Sequence, residues 1–131
     1  MRPRIAVVLF LVGSLACGGE SFPGAPSVAG TWIGDYTSSA SPASMFQGVL
    51  HMTQSGTTVT GTLTTNAGRS ADVSATLNGL ELSGTLTYTD ACTGSATTTA
   101  DIVQSGSQLT GSYSSTDCLG QTTGGYSLVK Q

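Results

Sequence analysis

The sequence has 131 residues, 18 of them glycine, and only 8% carry a formal charge, with four basic and seven acidic residues for a net charge of −3. Two of the basic residues, Arg2 and Arg4, stand at the extreme N-terminus. The rest of the chain sets Arg69 and Lys130 against all seven acids, a balance that cannot neutralise a phosphate backbone and excludes nucleic acid as a partner.

Arg2 and Arg4 precede an apolar run from Ile5 to Leu15, and a small residue, Ala16, stands before Cys17. This is the order of a secretory signal: basic region, apolar region, cleavage site. The run is too short to span a bilayer and remain there. The junction SLAC, residues 14–17, resembles the lipobox of bacterial lipoproteins, with Ser14 where that family usually has Leu. The resemblance implies transfer of diacylglycerol to the Cys17 sulfur, cleavage before it, and acylation of the new amino terminus, palmitate being the typical chain. With Gly18 after the cysteine instead of Asp, it also implies a cell-envelope lipoprotein of the outer membrane, facing the periplasm or the cell surface. The expected organisation is a signal peptide over 1–16, a lipidated Cys17 with a flexible tether over 17–28, and a β-barrel domain over 29–131. The stretch GGESFPGAPS, residues 18–27, has the composition of a tether and reaches at most ~35 Å when extended.

Beyond the tether, about a hundred residues suffice for one domain with one core. Period-two alternation dominates and nothing is convincingly helical. Eight strands are expected, at about 30–37, 46–53, 57–65, 69–77, 80–89, 96–104, 107–115 and 122–130. The connections at 54–57, at Asn78-Gly79 and at 104–107 read as tight hairpin turns, with Asn-Gly the type I′ signal. Those at 38–44, 66–68, 90–94 and 116–121 read as longer and more varied. In an up-and-down meander alternate connections fall at opposite ends, so tight turns gather at one end and varied loops at the other. The fold expected is all-β, an eight-stranded antiparallel up-and-down barrel, whose closure removes the exposed edges of a Thr-rich sheet. Gly34, Gly61, Gly84 and Gly111 fall at inward positions of alternate strands, where a narrow barrel needs its strands to bend. Clearing space for a ligand is the other use of glycines there.

The run GTW, Gly30 to Trp32, resembles the Gly-x-Trp of lipocalins and the similar opening of avidins, both eight-stranded calycin-type barrels for small ligands. The resemblance implies that Trp32 packs inside near the closed end and that Lys130 covers it, as a basic residue of the last strand does in lipocalins. The further tryptophans that avidins place around their ligand, and the other lipocalin motifs, have no counterpart here.

With Cys17 lipidated, Cys92 and Cys118 remain as an even pair in an oxidising compartment, where a disulfide is expected; both lie at the loop-bearing end. No enzyme motif is present, and neither a metal nor a cofactor site is expected. His51, Asp72, Glu81 and Asp101 alternate outward. Asp90 and Asp117 lie close to the two cysteines, where they make turns or, brought together, hold a cation or share a proton. Tyr36, Phe46, Tyr88, Tyr113 and Tyr126 are inward near the loop-bearing end, a rim suited to a small apolar or aromatic ligand or, on the other reading, a plug that fills the barrel. Two functions compete: a non-enzymatic small-ligand-binding barrel, and a structural or protein-interaction lipoprotein with a filled barrel. Ile33, Val49 and Val129 alternate outward on strands that meet when the barrel closes, a face for self-association.

Overall fold

The computed structural model describes residues 26–42 and 44–131; the signal peptide, Cys17 and most of the tether lie outside the described residues. The strands are β1 (Gly30–Thr37), β2 (Met45–Ser55), β3 (Thr58–Thr65), β4 (Ser70–Asn78), β5 (Glu81–Tyr88), β6 (Gly94–Val103), β7 (Gln108–Asp117) and β8 (Gly120–Lys130). Each pairs antiparallel with the next, and β1 pairs with β8 from Trp32 opposite Lys130 to Tyr36 opposite Tyr126, which closes an eight-stranded barrel. Alternation is cleanest on β4, where Ala71, Val73, Ala75 and Leu77 are buried and the residues between them are exposed. Period-two hydrophobicity on strands that all bury one face leaves a closed barrel as the way to cover both edges.

The four glycines serve closure. A Cβ on Gly34, Gly61, Gly84 or Gly111 would strike the carbonyl oxygen of Ser127, His51, Ser74 or Thr99 in turn, each on an adjacent strand. None of the four has a positive φ, so it is the missing side chain and not backbone freedom that matters. They are also staggered: Gly61 lies opposite Val73, which pairs onward through the sheet with Leu86, two residues from Gly84. Gly84 reaches Tyr113 in the same way, two residues from Gly111. Such an offset accompanies the tilt of strands in a closed barrel.

Two turn expectations are corrected. The β4–β5 turn is centred on Gly79-Leu80, not on Asn78-Gly79, because Asn78 pairs with Glu81 and Gly79 alone has a positive φ, 63°. That is the glycine-first turn of the II′ class, and its register sets Leu77 opposite Leu82 and Val73 opposite Leu86 while leaving Leu80 in solvent. The β7–β8 connection, expected to be long, is only Cys118 and Leu119. Asp117 Oδ1 accepts the Leu119 N–H at 2.9 Å, and Gly120 at φ 107° completes the reversal. The β6–β7 turn includes a 3-10 turn, Gln104–Gly106, with Ser105 at φ 58°.

The core fills the end with the tight turns, here the floor. Trp32, Val28, Val59 and Leu109 are fully buried there, with Met52, Leu77, Leu82, Ile102 and Leu128 around them. Residues 26–28, assigned to the tether from sequence, are bound to this floor: Val28 N–H donates to Gln54 Oε1 at 2.7 Å and Gln54 Nε2 donates to the Pro26 carbonyl at 3.2 Å. Trp32 Nε1 donates to the Val28 carbonyl at 2.9 Å, and Lys130 Nζ stands 5.8 Å from the indole centre while bonding the Ser27 carbonyl. The packing expected of Trp32 and Lys130 is therefore present.

Candidate functional site

Above the floor the inward rings, Leu63 and Leu86 are only partly buried, and the barrel wall there encloses a cavity of about 280 Å³ that reaches the mouth loops. Leu50, Leu63, Val73 and Leu86 form much of its wall. All five aromatics expected at the mouth, Tyr36, Phe46, Tyr88, Tyr113 and Tyr126, line it. The barrel is thus not filled. The aromatics divide into three groups by what holds them.

Tyr36 is the centre of the first group, 5.4 Å from the Phe46 ring and 6.3 Å from Tyr113, the latter edge-on. The Tyr113 hydroxyl donates to the Thr37 carbonyl at 2.6 Å. Burial pushes its pKa up, against a smaller opposing effect of a hydrogen bond with Ser38. Tyr126 lies deeper, its ring against Gly111 where a Cβ would collide with it, and its hydroxyl shares a 2.6 Å hydrogen bond with Thr98. Here too burial raises the phenol pKa. Tyr88 shares a 2.7 Å hydrogen bond with the buried Ser115. Among the described residues the Tyr36 hydroxyl has no hydrogen-bond partner, in contrast to the other three phenols.

The rim is organised by a residue that the sequence reading passed over. Arg69, just before β4, projects inward in phase with Ala71 and Val73 and joins three strand ends. Its Nε donates to Asp90 at 2.8 Å, its Nη1 to Asp117 at 2.8 Å and its Nη2 to the Cys92 carbonyl at 2.9 Å. Its Cζ sits 4.1 Å above the centre of the Tyr88 ring, within cation–π range. Burial alone would lower the guanidinium pKa, but the hydrogen bonds to the two carboxylates outweigh it and raise the value. Arg69 in turn holds Asp90 below the usual carboxylate range, helped by the N–H groups of Ser70 and Cys92, and does the same for Asp117 with help from Leu119 N–H. The two carboxylates are therefore brought together, and the cation between them is the protein's own. The signal for Arg69 was present in its being the lone Arg or Lys between Arg4 and Lys130.

Cys92 and Cys118 form the expected disulfide, Cα atoms 5.1 Å apart, beside this clamp. Asp117 lies near both sulfurs, but sulfurs bonded to each other and a carboxylate held by Arg69 make a poor metal site. His51 is exposed on the outer wall, where its Nδ1 meets the Thr31 hydroxyl at 2.9 Å, and Asp72, Glu81 and Asp101 are exposed as well. Ile33 lies directly opposite both Val49 and Val129 on the outer face, an unbroken apolar row across β2, β1 and β8.

No protein-family model and no curated protein matches the chain. Among solved structures it is similar to EF1p2_mFAP2b bound to DFHBI, with TM-score 0.63 and 20% identity over 79% of this chain and 94% of that one. The redesigned β-barrel mFAP1, also bound to DFHBI, gives TM-score 0.59 and 23% identity over the same shares. Zebrafish ileal bile acid-binding protein with cholic acid gives TM-score 0.39 and 14% identity over 79% of this chain and 98% of that one. The likeness to the first two shows the fold, a small closed β-barrel.

Proposed function

We propose that the protein is a non-enzymatic binding module of the cell envelope that holds a small apolar or aromatic molecule in the mouth of its barrel. The observation that carries this reading is the cavity of about 280 Å³, apolar in its walls and aromatic at its rim, above a sealed floor. A structural lipoprotein with a packed interior would have no such space. Natural small-molecule pockets run from roughly 300 Å³ upward, so the occupant is at the small end of that range. The barrels bound to DFHBI support the reading in one respect: a barrel of this shape has room for a small organic molecule.

The non-enzymatic part rests on the exposure of His51 and on the engagement of Asp90 and Asp117 with Arg69, which leaves the cavity without a free acid–base pair among the described residues. Attachment to the outer membrane through Cys17 rests on the lipobox resemblance. Because residues 26–28 meet the barrel at its floor, such an anchor turns the mouth away from the membrane. The unbroken row Ile33, Val49 and Val129 favours a second role in protein contact, self-association through the outer wall.

Titration with the neutral fluorescent probe N-phenylnaphthylamine tests the reading: saturable binding at one site per barrel is expected, and linear, unsaturable signal would overturn it. Native mass spectrometry of protein from its own host should then show a copurified small molecule. Cys17→Ser should release the protein from membranes or block its maturation, and unchanged partitioning into detergent would remove the anchor from the proposal.

A further inference from the structure

Resting on the binding reading above, we propose that the cavity selects uncharged ligands over anionic ones, and that Asp90 and Asp117 set this preference by retaining the charge of Arg69. Among the described residues, Arg69 is the one basic side chain lining the cavity. A cation in that position would ordinarily attract a carboxylate or sulfonate, since guanidinium matches such groups in charge and shape. Here it faces two carboxylates at 2.8 Å each, so the cluster carries two negative charges against one positive. Asp117, itself a wall residue with a side chain only 4% exposed, stands between the guanidinium and the loop that follows β7. The other described basic side chain, Lys130, is at the floor with the Ser27 carbonyl and the Trp32 ring. An anion entering the mouth therefore loses water without gaining a counter-charge, which is the unfavourable case for burying a charge. A neutral molecule meets apolar wall, ring faces and the Tyr36 hydroxyl, which has no hydrogen-bond partner among the described residues, and incurs no such cost.

The test uses two probes with the same naphthyl and aniline rings: neutral N-phenylnaphthylamine and its sulfonated analogue anilinonaphthalene sulfonate. The wild-type protein should bind the neutral probe at least about tenfold more tightly. Asp117→Asn keeps an oxygen for Arg69 Nη1 and removes one negative charge, so it should shift the ratio of the two affinities toward the sulfonate probe by about fivefold or more. Asp90→Asn acts from the other side of the same guanidinium and should do the same. Melting curves accompany both variants. Should neither fold, the salt dependence of the wild-type protein still decides: screening of a net negative rim makes sulfonate binding stronger as salt rises, whereas a rim with an available cation makes it weaker. Equal or tighter sulfonate binding by the wild-type protein, or weakening with salt, would overturn the selectivity and leave the binding reading in place. Saturable binding of neither probe would overturn the binding reading itself.

Discussion

The two ends of the barrel are held by different physics. At the floor, stability comes from burial: Trp32 is wholly enclosed, its N–H is satisfied by the Val28 carbonyl, and residues 26–28 are bound in turn by Gln54 and Lys130. At the mouth the rings are only partly buried, and order comes from a disulfide and from one guanidinium shared between two carboxylates and a carbonyl. Burial of the large side chains therefore falls from floor to mouth while charge and covalent cross-linking rise. The cross-links run around the rim, joining the segments that follow β3, β5 and β7, and leave the cavity beneath them open. Changes at the floor should thus act on global stability, and changes at the mouth should separate stability from binding.

The largest effect is expected from Trp32→Ala, which leaves a void at the centre of the floor and removes the partner of the Val28 carbonyl. Truncation of a buried Trp costs about 3–5 kcal/mol, a large share of the stability of a domain this size. Urea denaturation followed by tyrosine circular dichroism would measure it. A loss below about 1 kcal/mol, the range of ordinary substitutions, would show that the floor is not the main source of stability. Replacing both Cys92 and Cys118 by Ser should cost about 2–4 kcal/mol, yet leave the environment of Trp32 intact. The near-ultraviolet signal of that lone tryptophan should therefore persist in the folded variant. If it is lost, the two ends are coupled more tightly than their separate bonding implies.

Arg69→Gln comes next and carries a pH signature. Asp90 and Asp117 both have folded-state pKa values depressed by Arg69. Their contribution to stability is therefore complete above the unfolded carboxylate value of about 3.9 and is lost as pH falls through the depressed folded values. The variant lacks that contribution and gains repulsion between two carboxylates. Its urea midpoint should lie below the wild type's at pH about 7, and the gap should narrow as both proteins are taken toward pH about 2. A gap that is constant with pH would mean that Arg69 acts through packing on Tyr88 and not through charge.

How much of this was legible in the sequence follows the same division. Strand number, antiparallel order and the inward glycines were readable because alternation and turn residues are local signals, as β4 shows from Ala71 to Leu77. The disulfide was readable from counting, since two cysteines remain once Cys17 is set aside. The inward placement of the five aromatics followed from strand phase alone. The Arg69 clamp was not readable, because its partners stand 21 and 48 residues away and periodicity carries no information on which side chains meet across a barrel. Turn centres also escaped: Asn78-Gly79 has the stronger local preference, but pairing Leu77 with Leu82 moved the turn by one residue. The cavity itself depends on how the rings lie along the wall, as Tyr126 does over its strand neighbour Gly111 to reach Thr98, and no local pattern encodes that.

The smallest effects come from removing one hydroxyl at a time, and they sharpen the contrast between stability and binding within the mouth. Tyr113→Phe deletes a donor that satisfies the Thr37 carbonyl at 2.6 Å and should cost about 1 kcal/mol of stability. Tyr36→Phe deletes a hydroxyl with no hydrogen-bond partner among the described residues, so the change in stability should stay within about ±0.5 kcal/mol. Binding should order the two differently. On the proposed reading the Tyr36 hydroxyl is the partner for a neutral ligand with a hydrogen-bonding group, so Tyr36→Phe should weaken such a ligand by roughly fivefold, on the order of 1 kcal/mol. The same change should leave a purely apolar analogue unaffected. Tyr36→Ala, Tyr88→Ala and Tyr113→Ala should weaken both kinds of ligand by removing ring faces, whereas His51→Ala on the outer wall should weaken neither. Melting curves for each variant separate lost contact from lost packing. Affinity that survives all three alanine changes in folded protein would place the ligand somewhere other than the aromatic mouth. Equal loss of polar and apolar ligands in Tyr36→Phe would mean that its hydroxyl serves the ring's position and not the ligand.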